Sequence, residues 1–132
     1  MERLMGSLKT KIVIIAVMMA LGISGPTASY GWQPKLAQAV YVTMSKACSC
    51  TLERCQAGDI TVGNIFSGEK SRLLKRLDYS TDKEAAQVYM KQYHIIQAPA
   101  LLFLDAQGKV LWMAMGELDE KNITEKLSQF GG

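Results

Sequence analysis

"YHIIQAPALLFLDAQGKVLWMAMG", residues 93 to 116, holds the pattern from which the rest of the chain is read. Pro99 stands just before "ALLFLD" (100–105), an apolar run of strand length. "AQG" (106–108) is a tight turn, "KVLWMAM" (109–115) is the returning hairpin strand, and Gly116 ends it. Downstream, Ile123, Leu127 and Phe130 stand at i, i+4 and i+7 of a terminal helix over 119–130. Upstream, Thr81 and Glu84 have the T-x-x-E spacing of a capping box, whose side chains satisfy the free N–H groups of a first helical turn. Ala85, Val88, Tyr89 and Tyr93 then repeat along one helical face. "RLLKRLDY" (72–79) reads as a strand despite its charges, and "AVYVTM" (39–44) as a short buried strand. Between them "TLERCQ" (51–56) contains helix formers, "AGD" (57–59) interrupts them, and "ITVGNIF" (60–66) fits helix and strand alike. The predicted order is strand, helix, strand, helix, strand, strand, helix.

That order resembles the thioredoxin family over about residues 37 to 130, most weakly over 57–71. The matching positions are Asp78 at a strand end, Tyr93 and Ile95 at a helix end, Pro99 before the hairpin, then Gly108, Gly116 and Leu127. The resemblance implies an α/β, thioredoxin-like domain: a central mixed β-sheet of four to five strands flanked by helices. It also implies a cis peptide between Ala98 and Pro99, packed against active-site cysteines and presenting backbone to an extended substrate. Two features depart from the family. Its W-C-x-x-C motif is replaced by C-x-C and C-x4-C spacings without the tryptophan, and its buried strand acid is replaced by Val42, Thr43 or Met44.

All three cysteines, Cys48, Cys50 and Cys55, lie in "KACSCTLERC" (46–55). A helix starting near Cys50 would favour a thiolate there, because unpaired N–H groups and the helix dipole stabilise negative charge. Lys46 and Arg54 add positive charge and Glu53 opposes it. In such a helix the Cys50 and Cys55 Cα atoms lie ~8.6 Å apart. A disulfide tolerates about 7 Å, so this pair closes only if the helix breaks or starts later. A Cys48–Cys50 bond makes a strained, labile ring. A Cys48–Cys55 bond would pin the loop to the helix. All three pairings stay open on the sequence.

The chemistry expected is thiol–disulfide exchange outside the cytoplasm, with Cys48, Cys50 and Cys55 catalytic and Ala98 and Pro99 docking the substrate. Cys48 or Cys50 would attack a disulfide and a neighbouring cysteine would resolve the adduct. No cofactor is needed; the partners would be protein thiols or disulfides of exported proteins, together with a dedicated redox partner. The alternative is a soft-metal site in which Cys48, Cys50 and Cys55 bind copper, mercury, arsenic or zinc, with Met44, Met90, Met113 and Met115 as further sulfur donors. The lone His94 reads as a surface or cap residue. A third reading is an inert module with one structural disulfide and one buried thiol.

The N-terminus has the form of an export leader. Arg3, Lys9 and Lys11 precede the apolar "IVIIAVMMALGI" (12–23), and "SGPTAS" (24–29) offers cleavage after Ala28 or Ser29. No charge occurs from Ile12 through Pro34, so an uncleaved signal-anchor over residues 12–34 is the competing expectation. Residues 1–29 are thus leader or anchor, and 30–132 the domain, in a periplasmic or other extracytoplasmic space where thiols are oxidised. Without a cysteine near 20–30, lipid anchoring is excluded. The chain carries 15 basic and 12 acidic residues; setting aside Glu2, Arg3, Lys9 and Lys11 leaves 12 and 11. A near-neutral body without basic runs excludes nucleic acid as a partner.

Overall fold

A computed structural model describes residues 31 to 132, of which Gln33–Gly132 form one compact unit. The leader or anchor expected over 1–29 lies outside the described residues.

Strand β1 (Gln38–Thr43) is followed by helix α1 (Ser49–Ile65), a 3-10 turn (Gly68–Leu73), β2 (Leu74–Asp78), α2 (Lys83–Gln92), β3 (Ala100–Leu104), β4 (Val110–Met115) and α3 (Glu120–Gln129). The sheet runs β2-β1-β3-β4; β1 and β2 are parallel, the other pairs antiparallel. The parallel pair requires a crossover, and α1 supplies it. Side chains alternate across the two central strands, so both faces are apolar. Ala39, Tyr41, Leu101 and Phe103 meet Val62 and Phe66 of the α1 end and Ile123 and Leu127 of α3. On the other face Val40, Val42, Leu102 and Leu104 meet Ala86 of α2. This is the mixed four-stranded sheet flanked by helices that the sequence predicts.

Three local expectations are corrected. The helix does not break at Ala57–Asp59 but runs unbroken to Ile65, and the ambiguous 60–66 segment is its C-terminal end. Gly58 is there for space: a Cβ on it would lie 2.8 Å from Tyr41 Oη and 3.1 Å from Pro99 Cγ. The Thr81–Glu84 capping box does not form. Residues 79–81 turn back on Asp78, whose carbonyl accepts from the N–H groups of Thr81 and Asp82, and Asp82 becomes the cap residue. In α2, Val88 points outward at 60% exposure, while Ala86 is buried and Tyr89, Met90 and Tyr93 pack beside it. The terminal helix follows its pattern: Asp119 caps it by accepting from Asn122 N–H at 2.9 Å, and Ile123 and Leu127 are buried.

Candidate active site

The loop leaving β1 is held by the end of β2. Ser45 N–H donates to Asp78 Oδ1 at 3.1 Å, as does Ser80 N–H at 2.8 Å. Ser80 Oγ accepts from Lys46 N–H at 2.9 Å and donates to the Lys46 carbonyl at 3.0 Å. Partial burial pushes the Asp78 carboxyl up, but these hydrogen bonds outweigh it and leave the pKa below its ordinary value. The loop therefore delivers Cys48 to a fixed place as the N-cap of α1, in extended conformation with φ −62° and ψ 156°.

Cys48 is exposed, and its Sγ lies 3.3 Å from Thr51 Oγ1, one turn into the helix. The Thr51 hydroxyl, and after it the Thr51 N–H, favour the thiolate and hold the Cys48 pKa below the ordinary thiol value. Cys48 is thus the cap residue and Thr51 lies in the first turn, which puts the sulfur beside a hydroxyl at the loop-helix junction. Cys50 is also exposed, two positions further on. Cys50 lies in the first turn rather than one turn along from Cys48, and i and i+2 are not the positions that face each other on a helix.

Cys55 lies elsewhere. It is completely buried, within the same unbroken helix. Its Cα is ~8.6 Å from that of Cys50 and about 10.5 Å from that of Cys48 by helix geometry. Both separations exceed what a disulfide spans. Nor do the three thiols converge on one ion; among the described residues no group of three His, Cys, Asp or Glu side chains could hold a metal. The structure therefore divides the cysteine cluster that the sequence treats as one site, and the physical cause is the continuity of α1.

The Ala98–Pro99 peptide is cis, and Pro99 is fully buried. It packs against Gly58, one turn beyond Cys55 and about 15 Å along the axis from Cys48. Cys55 is the cysteine nearest to Gly58 along α1. Beside Gly58 an open cleft of about 400 Å³ is lined by Glu53, Arg54, Ala57, Gly116, Glu117 and Leu118. Pro99 stands behind it, accepting from Gly116 N–H through its carbonyl at 2.8 Å.

No family model and no curated protein matches the sequence. Solved structures do match. Malassezia sympodialis thioredoxin is 12% identical, covers 76% of this chain and 80% of its own, and superposes with a TM-score of 0.53. The fold is thioredoxin-like. The C-terminal domain of Neisseria meningitidis DsbD in the reduced form agrees, at 14% identity, coverage of 74% and 83%, and a TM-score of 0.53. So does Aeropyrum pernix thioredoxin, at 12% identity, coverage of 70% and 73%, and the same score. At such identities the likeness establishes the thioredoxin-like fold and leaves the chemistry to be argued from the side chains.

Two residues are absent from the sequence reading, one beside the nucleophile and one that clamps its helix to the sheet. Thr51 escapes it because a helix assumed to start near Cys50 leaves Cys48 in the loop; starting at Ser49 makes Cys48 and Thr51 neighbours. Asp59 escapes it because the missing acid is sought on the strand. The structure has an acid on α1 that reaches β1: Asp59 Oδ1 accepts from Tyr41 Oη at 2.7 Å and Thr43 Oγ1 at 2.8 Å, and Oδ2 meets Arg76 of β2 at 2.9 Å. Burial, the main cause, pushes the Tyr41 phenol far above its ordinary pKa, so it stays a donor.

Proposed function

We propose that the chain is an extracytoplasmic thiol–disulfide oxidoreductase whose nucleophile is Cys48. The observation that carries the reading is the exposed Cys48 sulfur at the start of a long helix, 3.3 Å from the Thr51 hydroxyl that favours its thiolate. Only the thiolate attacks a disulfide, so a site that lowers the thiol pKa while leaving it accessible is suited to exchange. A thioredoxin-like scaffold supports the same chemistry by analogy. The N-terminal sequence supports the location, since the basic residues Arg3, Lys9 and Lys11 before an apolar run suit a leader or an anchor alike. Cys50 is an exposed neighbour with no side-chain hydrogen bond to its sulfur among the described residues, and Cys55 is a packed helix residue rather than a reagent. Ala98 and Pro99 serve docking from behind: Pro99 positions Gly58 and Gly116, which line the cleft along which an extended peptide would approach. Protein disulfides of exported proteins are the substrate class.

The test is peptide-disulfide exchange by single-cysteine replacements. Cys48→Ser should abolish turnover, while Cys50→Ser and Cys55→Ala retain it. Full activity in Cys48→Ser, or loss only in Cys50→Ser, would refute the assignment.

A further inference from the structure

Resting on Cys48 as the nucleophile, we infer that this chain works with one thiol and that Thr51 sets that mode, occupying the position from which a resolving cysteine would reach the Cys48 sulfur. The Thr51 side chain touches Cys48 Sγ at 3.3 Å, one turn along α1. Helix geometry puts positions i and i+3 about 5 Å apart between Cα atoms, inside the range a disulfide spans. The two remaining cysteines do not hold that position: Cys55 is buried about 10.5 Å along the helix, and Cys50 is two residues on rather than one turn on. A hydroxyl thus stands where internal release would need a sulfur.

The Cys48 thiolate attacks a substrate disulfide, a bond forms between Cys48 Sγ and one substrate sulfur, the substrate S–S bond breaks, and the other sulfur leaves as thiolate. With no thiol at the position one turn along the helix, the adduct persists. A thiolate from outside then attacks the substrate sulfur, forms a new disulfide with it and returns Cys48 as thiolate. No net electrons pass to the chain. The required co-reactant is an external thiol, either a small molecule or a cysteine of a partner protein.

The experiment treats the reduced full chain with excess 2-hydroxyethyl disulfide, removes the reagent, and follows the adduct by intact mass and peptide mapping. The wild-type chain should keep one adduct on Cys48 until thiol is added. Release by mercaptoethanol would identify a small thiol as sufficient; release only by reduced thioredoxin would identify a protein thiol. Thr51→Cys should lose the adduct without added thiol and gain a 48–51 disulfide. Spontaneous loss from wild type, with a 48–50 or 48–55 disulfide, would overturn the single-thiol mode while keeping Cys48 as nucleophile. A Thr51→Cys chain that retained its adduct would overturn the placement of Thr51. Failure of Cys48 to take up the reagent while Cys50 does so would instead overturn the nucleophile assignment, and this inference with it. Thr51→Val should move the pH profile of adduct formation upward and Thr51→Ser should restore it, a readout that a merely structural role would leave unmoved.

Discussion

Replacing Asp59 with alanine removes the one carboxylate that ties α1 to both parallel strands. Its Oδ1 accepts from two side chains that are essentially inaccessible to water, Tyr41 and Thr43. A hydrogen bond to a charged acceptor contributes about 1.5–3 kcal/mol, and a buried group left without its partner loses comparably. Asp59 itself is 31% exposed, so water can enter the vacated space and the lower figure applies to each bond. The Tyr41 hydroxyl also keeps the Cys55 carbonyl at 3.3 Å. The ion pair adds little, because Arg76 is 50% exposed and such surface pairs contribute up to about 1 kcal/mol. The expected loss is therefore about 3 kcal/mol. For a domain near this size, that corresponds to a fall in Tm of roughly 15 °C. Thermal and urea unfolding of Asp59→Ala, with Arg76→Ala and Tyr41→Phe as controls, would measure it. Arg76→Ala should cost less than about 1 kcal/mol. Because Asp59 lies about 16 Å along the helix from Cys48, the folded variant should keep the Cys48 labelling profile unchanged. A loss below about 1 kcal/mol would refute the clamp. A displaced labelling profile would refute the separation between clamp and nucleophile.

Gly58→Ala should destabilise by about 1–3 kcal/mol despite alanine's better helix propensity, because the new Cβ would press on Tyr41 and Pro99; a more stable variant in urea unfolding would contradict that close approach. Pro99→Ala should slow exchange with peptide disulfides more than with small disulfides, and equal slowing of both would remove the docking role. Asp78 has a folded pKa below its unfolded value, so its contribution to stability is present above about pH 4 and is lost as the pH falls through the lower folded value. Asp78→Asn should flatten that acid limb in unfolding curves recorded from pH 6 to 2, and an unchanged limb would dissociate Asp78 from loop anchoring.

The fold was legible because its core follows simple periods. β3 is buried at every position, the hairpin turn is punctuated by Gly108, and Ile123 and Leu127 land on the face of α3 that meets the sheet. The site was less legible because it depends on where one helix begins. Ser49 and Thr51 are better cap residues than Cys48 by ordinary preference, so nothing in the composition places the cap on the cysteine. The Ala-Gly-Asp triplet misled for a related reason. Gly58 answers the approach of Tyr41 and Pro99, and Asp59 answers hydroxyls on β1, and both needs arise from residues distant in sequence. The Thr81–Glu84 spacing fitted a local motif, but the tertiary turn on Asp78 decided otherwise.

The most direct test of the central claim is residue-resolved alkylation of the reduced full chain across pH 5 to 10, read by peptide mass for Cys48, Cys50 and Cys55 separately. The Thr51 hydrogen bonds favour the Cys48 thiolate, so its labelling should rise at lower pH than that of an ordinary thiol. At neutral pH Cys48 should react first, Cys50 more slowly, and Cys55 only on unfolding, in keeping with its burial. Equal profiles for Cys48 and Cys50, or faster labelling of Cys50 at neutral pH, would contradict Cys48 as the nucleophile.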